Sequence, residues 1–131
     1  MTDIRILLVD DEPDVREIVD ISLGLDRELK TRACASGADA LVTAAEWSPS
    51  LILLDVMMPV MDGPATLANL RKNPRTAHIP VVFLTARTQA DEIAQYMSLG
   101  AEGVLTKPFD AMTLAASVRS YLPATADHHG G

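Results

Sequence analysis

Leu51-Ile52-Leu53-Leu54-Asp55 sets four aliphatic residues directly before a carboxylate. An apolar run of strand length without alternation suits burial on both faces, as in a parallel sheet. The charge that closes it stands where the strand leaves the core. The pattern occurs earlier too, where Ile6-Leu7-Leu8-Val9 is followed by Asp10-Asp11-Glu12. Outward from these two, short apolar runs lie at Ile4–Val9, Leu51–Leu54, Pro80–Leu84 and Gly103–Leu105, with a half-polar run at Lys30–Ala35.

Amphipathic stretches separate the runs. Val15, Ile18, Val19, Ser22 and Leu25 follow helical spacing after Pro13-Asp14, a good helix start. Ala38, Leu41, Val42 and Ala45 do so after Ser36, a favourable N-cap. Leu67, Leu70 and Arg71 follow Gly63-Pro64 and stop before Asn73-Pro74. Ile93, Tyr96 and Met97 predict a helix that Gly100 ends. Met112, Leu114, Ala115, Val118 and Leu122 predict the last, with Asp110 as its cap and Pro123 as its stop. Strand and helix thus alternate five times, which predicts an α/β fold with a parallel sheet and helices on both faces.

The 131 residues suit one domain, expected over 1–123, with a disordered tail over 124–131. Apolar residues make up 48% and aromatic ones 4%, so the core is aliphatic. No apolar run has the ~18 residues of a membrane span, and the start lacks the basic region of a signal peptide. The single cysteine, Cys34, forms no internal disulfide and reads as a small buried hydrophobe. A soluble, cytoplasmic protein fits these features. The net charge of −7 is the opposite of a nucleic-acid binder's, and neither nucleic acid nor membrane is expected as a partner.

In open parallel sheets, ligands bind at the carboxyl ends of the strands. Those ends carry Asp10, Asp11 and Glu12, then Asp55, then Thr85-Ala86, then Thr106-Lys107-Pro108. Clustered carboxylates repel unless a cation neutralises them. Short side chains with hard oxygens favour Mg²⁺, which takes one or two carboxylates together with a phosphate. A carboxylate can attack phosphorus and form an aspartyl phosphate. The transferring group needs positive charge and donors around its oxygens, which Mg²⁺, the Lys107 ammonium and the Thr85 hydroxyl would supply.

With these residues in place, the chain resembles the response-regulator receiver family, itself one source of the strand-end rule. The carrying residues are Leu7-Leu8-Val9-Asp10-Asp11-Glu12, Leu53-Leu54-Asp55-Val56-Met57-Met58-Pro59 with Asp62-Gly63, Phe83-Leu84-Thr85-Ala86, and Leu105-Thr106-Lys107-Pro108-Phe109. They span Ile4 to about Leu122. The resemblance implies a flavodoxin-like (βα)5 sheet of strand order 2-1-3-4-5. It implies Asp55 as phosphoacceptor, Asp11 as a direct Mg²⁺ ligand, Asp10 as one mainly through water, and the Met57 backbone carbonyl as a further ligand. Thr85 would hydrogen-bond the phosphoryl group. Lys107 would pair with Asp55 or the phosphate, its bond to Pro108 being cis. The implied phosphodonor is a histidine kinase or phosphotransfer protein. The expected output is docking to a downstream protein, as a monomer or as a weak dimer through the fourth helix, fifth strand and fifth helix. No output domain is expected after Leu122, and no activity on a separate substrate.

One position departs from the family. Three residues before the lysine the fifth strand usually carries an aromatic whose rotation is coupled to the threonine; here it is Val104. Output is therefore expected to depend on movement of the 85–91 segment. Met57 and Arg87 stand at the mouth of the site, where such positions tune hydrolysis of the aspartyl phosphate. An apolar Met57 orients no water, so slow self-dephosphorylation is expected.

Other readings fit less well. Asp10 and Asp11 could be helix caps, Thr85 a strand-end cap and Lys107 a solvated lysine, but their convergence with Asp55 favours the site. An aspartyl-nucleophile phosphatase would carry its acid where Met57 stands. A nucleotide-binding domain would carry a glycine-rich loop after the first strand, and none is present. A pseudo-receiver would lack acceptor chemistry that is intact here. Met57, Met58 and Met61 read as packing, His78 as a loop residue, Trp47 as a cover for one end of the second helix, and His128-His129 as part of the tail.

Overall fold

The computed structural model describes residues 4–86 and 89–122. Arg87, Pro123 and the tail with His128 and His129 lie outside the described residues. Strands β1 (Ile4–Val9), β2 (Leu29–Cys34), β3 (Leu51–Asp55), β4 (Val81–Thr85) and β5 (Gly103–Thr106) alternate with helices α1 (Pro13–Gly24), α2 (Gly37–Trp47), α3 (Gly63–Lys72), α4 (Ala90–Ser98) and α5 (Leu114–Ser120). The sheet has the expected order β2-β1-β3-β4-β5, and every pairing is parallel.

Burial follows the strand patterns. β3 and β4 are buried at every residue, as their unbroken apolar runs require. β2 is an edge, and its half-polar sequence exposes Lys30 and Arg32, which discourages pairing with another chain. Successive strand residues face opposite sides, so the sheet divides two cores. Leu7, Val9, Ile52, Leu54 and Phe83 face one side, with Ala40 and Ala44 of α2 and Leu67 and Leu70 of α3. Ile6, Leu8, Leu51, Leu53, Val82 and Leu84 face the other, with Val19 and Leu23 of α1 and Leu114 and Val118 of α5.

The helices stand where expected, but some faces differ. α1 buries Val19, Ser22 and Leu23, while Ile18 and Leu25 are exposed. α2 is capped by Ser36, whose side chain accepts the Asp39 N–H. It buries Gly37, Ala40 and Ala44 and exposes Ala38 and Val42. At Gly37 the close approach is to α3, where a Cβ would collide with the Thr66 hydroxyl, and hydropathy does not reveal it. α5 starts at Leu114, later than Asp110 suggested; Asp110 instead accepts the Met112 N–H in a turn before the helix. Trp47 ends α2 half-buried, with the Arg32 guanidinium 4.8 Å from its ring centroid. Among the described residues no helix is long and apolar enough to cross a membrane.

Candidate functional site

Five parallel strands bring their carboxyl ends to one edge. Asp10 follows β1, Asp55 ends β3, Thr85 ends β4 and Lys107 follows β5. Since β1, β3, β4 and β5 are successive neighbours, the four residues stand side by side. Asp55 registers with Leu84, which places Thr85 one step further along the adjacent strand. Asp10, Asp55 and Thr85 are all buried.

Asp10, at 0% exposure, has both carboxylate oxygens engaged. Oδ1 accepts the Glu12 N–H at 2.9 Å, and Oδ2 accepts from Lys107 Nζ at 2.7 Å. Asp10 therefore does not cap α1, whose N-cap Glu12 makes no side-chain cap bond. Asp11 is half-buried beside it. One ligand oxygen from each of Asp10, Asp11 and Asp55 lies within 4.8 Å of the others.

Lys107 Nζ also donates to Asp55 Oδ1 at 3.2 Å and lies 3.6 Å from Glu12 Oε1. The lysine thus bridges Asp10 and Asp55 and leans toward Asp10, a partner its resemblance-based role did not include. Its N–H donates to the Thr85 carbonyl at 2.9 Å, and the Lys107–Pro108 bond is cis as expected.

This asymmetry sets the charge balance. Burial pushes the Asp55 carboxyl up to about 6, and the Asp10 charge adds to the rise; Lys107 and the Met57 backbone N–H offset it only in part. Burial works against the Lys107 ammonium as well, but the hydrogen bond and charge of Asp10, with Asp55 behind, outweigh it and raise that pKa. The site therefore holds clustered carboxylates against one ammonium, an arrangement that a divalent cation would relieve.

The β3–α3 loop holds Asp55 from below. The Gly63 N–H donates to the Val56 carbonyl at 2.9 Å, and Asp62 caps α3 by accepting the Ala65 N–H. A Cβ on residue 63 would stand 2.5 Å from the Asp55 carbonyl oxygen and 2.9 Å from Val56 Cα, so only glycine permits this approach. Met57 is 65% exposed at the rim. Val104 is half-buried on β5, directly beside Phe83. Sequence reasoning counted Glu12 only among the strand-end acids and Gly63 only within a motif; the run Asp62-Gly63-Pro64 signals a helix start but not the backbone contact beneath Asp55.

The model of the response regulator receiver domain family matches residues 6–119. Response regulator Rre1 of Synechocystis sp. is 40% identical over 119 residues, which cover 91% of this chain and 52% of that protein. The DNA-binding dual master transcriptional regulator RpaA of the same organism is 38% identical, over 92% of this chain and 50% of its own length. The chain therefore spans about half the length of these curated relatives. Among solved structures, chemotaxis protein CheY4 of Vibrio cholerae superposes with a TM-score of 0.84 at 30% identity, covering 92% of this chain and 100% of that one.

Proposed function

From the premise that the chain belongs to the response regulator receiver family, we propose that Asp55 accepts a phosphoryl group from a histidine kinase or histidine phosphotransfer protein and thereby switches a partner-binding surface. The observation that carries this reading is the setting of Asp55, 4% exposed at the end of β3 between two further carboxylates and an ammonium.

Asp10, Asp11 and Asp55 would hold Mg²⁺, with the Met57 backbone carbonyl as a further ligand. Three hard carboxylates within reach of one another fit that ion. Both Asp10 oxygens are already engaged, so Asp11 is the freer direct ligand. When bound, Mg²⁺ supplies positive charge against the carboxylates and the phosphoryl oxygens. An Asp55 oxygen bonds to phosphorus as the bond from phosphorus to the donor nitrogen breaks. Lys107, held between Asp10 and Asp55, balances charge on the phosphoryl oxygens, and the Thr85 hydroxyl donates to one of them. The domain carries out this transfer and the later hydrolysis on itself and has no separate substrate. Apolar Met57 at the rim orients no water, which favours slow hydrolysis.

A groove of about 360 Å³ beside the site supports a protein phosphodonor. Val15 and Ile18 of α1 face Pro108 and Phe109 across it, and Lys107 and Glu12 stand at its end. An apolar helix of the donor laid there would bring its histidine toward Asp55. A cytoplasmic location belongs to the same reading.

Incubation with Mg²⁺ and acetyl phosphate tests it. Intact mass rises by one phosphoryl group in the native chain and not in Asp55→Asn. An unchanged native mass, or equal labelling of both proteins, contradicts the assignment.

A further inference from the structure

α4 has an amphipathic sequence, yet none of its residues is buried. Its contribution to the core on its side of the sheet is Tyr96, half-buried against the cluster that contains Phe83. The Tyr96 and Phe83 ring centroids are 5.4 Å apart with planes at 56°, a tilted aromatic pair.

Phe83 lies at a junction. Val104 is its partner on β5, and Val104 and Tyr96 both pack half-buried against the cluster that contains Phe83. On the other side, a Cβ at Gly63 would come within 3.1 Å of Phe83 Cε1 and 2.5 Å of the Asp55 carbonyl oxygen. Phe83 is also two residues before Thr85 and so faces the same side of the sheet. Close packing therefore runs from the Asp55 main chain through Gly63 and Phe83 to Tyr96. Packed interiors shift between discrete arrangements rather than deform smoothly. An element with little buried surface is the one that moves.

We propose that Tyr96 is the positioning residue that ties α4 to the acceptor site, its ring reseating over Phe83 and Val104 when Asp55 is phosphorylated. This rests on Asp55 being the phosphoacceptor. It gives the output route for a chain whose β5 carries valine where the usual aromatic would stand. The state of Asp55 is read as the placement of α4, through a ring carried by the moving helix itself. Because coupling is reciprocal, a ligand that fixes α4 also favours the phosphorylated site.

The test uses the full chain, isotope-labelled, with Mg²⁺ and beryllofluoride as a stable phosphoryl mimic, read by amide chemical shifts. In the native chain, amides around Asp10, Asp55 and Lys107 shift, and so do those of residues 90–98. In Tyr96→Ala the site amides still shift while the 90–98 response is lost. Tyr96→Leu, which keeps apolar bulk and guards against loss of folding, loses the response as well. Tyr96→Phe keeps the ring and responds like the native chain. A native-sized 90–98 response in either Tyr96→Ala or Tyr96→Leu overturns the proposal, as does a Tyr96→Phe variant that loses it. Intact mass after acetyl phosphate treatment separates the two levels. If the native chain gains no phosphoryl group, the acceptor reading fails and this inference with it; if mass is gained but α4 responds without the ring, only this inference fails.

Discussion

α3 and α4 cover the same face of the sheet and are attached to it in opposite ways. α3 buries Gly63, Thr66, Leu67 and Leu70, starts on an Asp62 side-chain cap, and ends with Arg71 and Lys72 against its carboxyl terminus. α4 buries no residue, and its N-cap Gln89 makes no side-chain cap bond. The helix that follows Asp55 is a fixed mount, whereas the helix that follows Thr85 meets the core through a half-buried ring and buries no side chain fully. Holding a reacting carboxylate requires rigidity, and reporting its state requires an element whose opening costs little. The division puts each property on a different helix.

The largest effect expected from this contrast lies in stability. Leu70→Ala, which empties a fully buried position in α3, costs about 2–5 kcal/mol in urea unfolding. Ile93→Ala in α4 costs about 1 kcal/mol or less, because that side chain is only half-covered. Equal losses would break the contrast.

A second effect sharpens the fixed side, which carries an unfavourable charge. The Asp55 carboxyl is raised from 3.8 in the unfolded chain to about 6 in the fold. The folded state therefore binds more protons between those values, and stability from this group falls as pH rises through that window. The penalty is absent below about pH 4 and complete above about pH 6. Without divalent cations, Asp55→Asn stabilises the fold near neutral pH by up to about 3 kcal/mol and makes little difference near pH 4. Denaturant unfolding at both pH values checks this. Mg²⁺ narrows the gap by stabilising the native chain; a variant less stable than the native chain near pH 7 without metal contradicts the account.

The smallest effect concerns α5, an intermediate case. It buries Leu114 and Val118 and is tied to the α1–β2 turn by Arg119, whose Nε and Nη2 donate to Asp26 at 2.7 and 3.0 Å. That hydrogen bond holds the Asp26 carboxyl below its usual range, so its stabilisation is present above about pH 4 and fades as pH falls through the lowered value. Arg119→Ala costs about 0.5–1 kcal/mol at neutral pH, and less in high salt, because the pair is partly exposed. Thermal unfolding over a salt series reads this, and a salt-independent loss would assign the effect to packing.

Much of this arrangement is legible in the residues. Buried parallel strands need unbroken aliphatic runs, so β1 and β3 are plain, and the polar residues that end them mark the site. The helix faces were harder to read. α2 packs through Gly37, Ala40 and Ala44, and small residues carry little hydropathic signal for a close approach. The late start of α5 depends on Asp110 serving a local turn rather than the helix. The nearer partner of Lys107 proved to be Asp10, because the relative heights of β1, β3 and β5 decide which carboxylate the ammonium reaches. Gly63 beneath Asp55 and Tyr96 on Phe83 are contacts between separate elements, which no spacing within one element encodes.

The most direct test of the central claim identifies the labelled atom. An acyl phosphate is reduced by borohydride to an alcohol, which turns a phosphorylated aspartate into homoserine. After treatment with Mg²⁺ and acetyl phosphate, borohydride reduction and peptide mass spectrometry, homoserine is expected at position 55 alone, and only where both reagents were present. Homoserine at Asp10 or Asp11, or none at position 55 in a chain that had gained a phosphoryl group, would contradict the account.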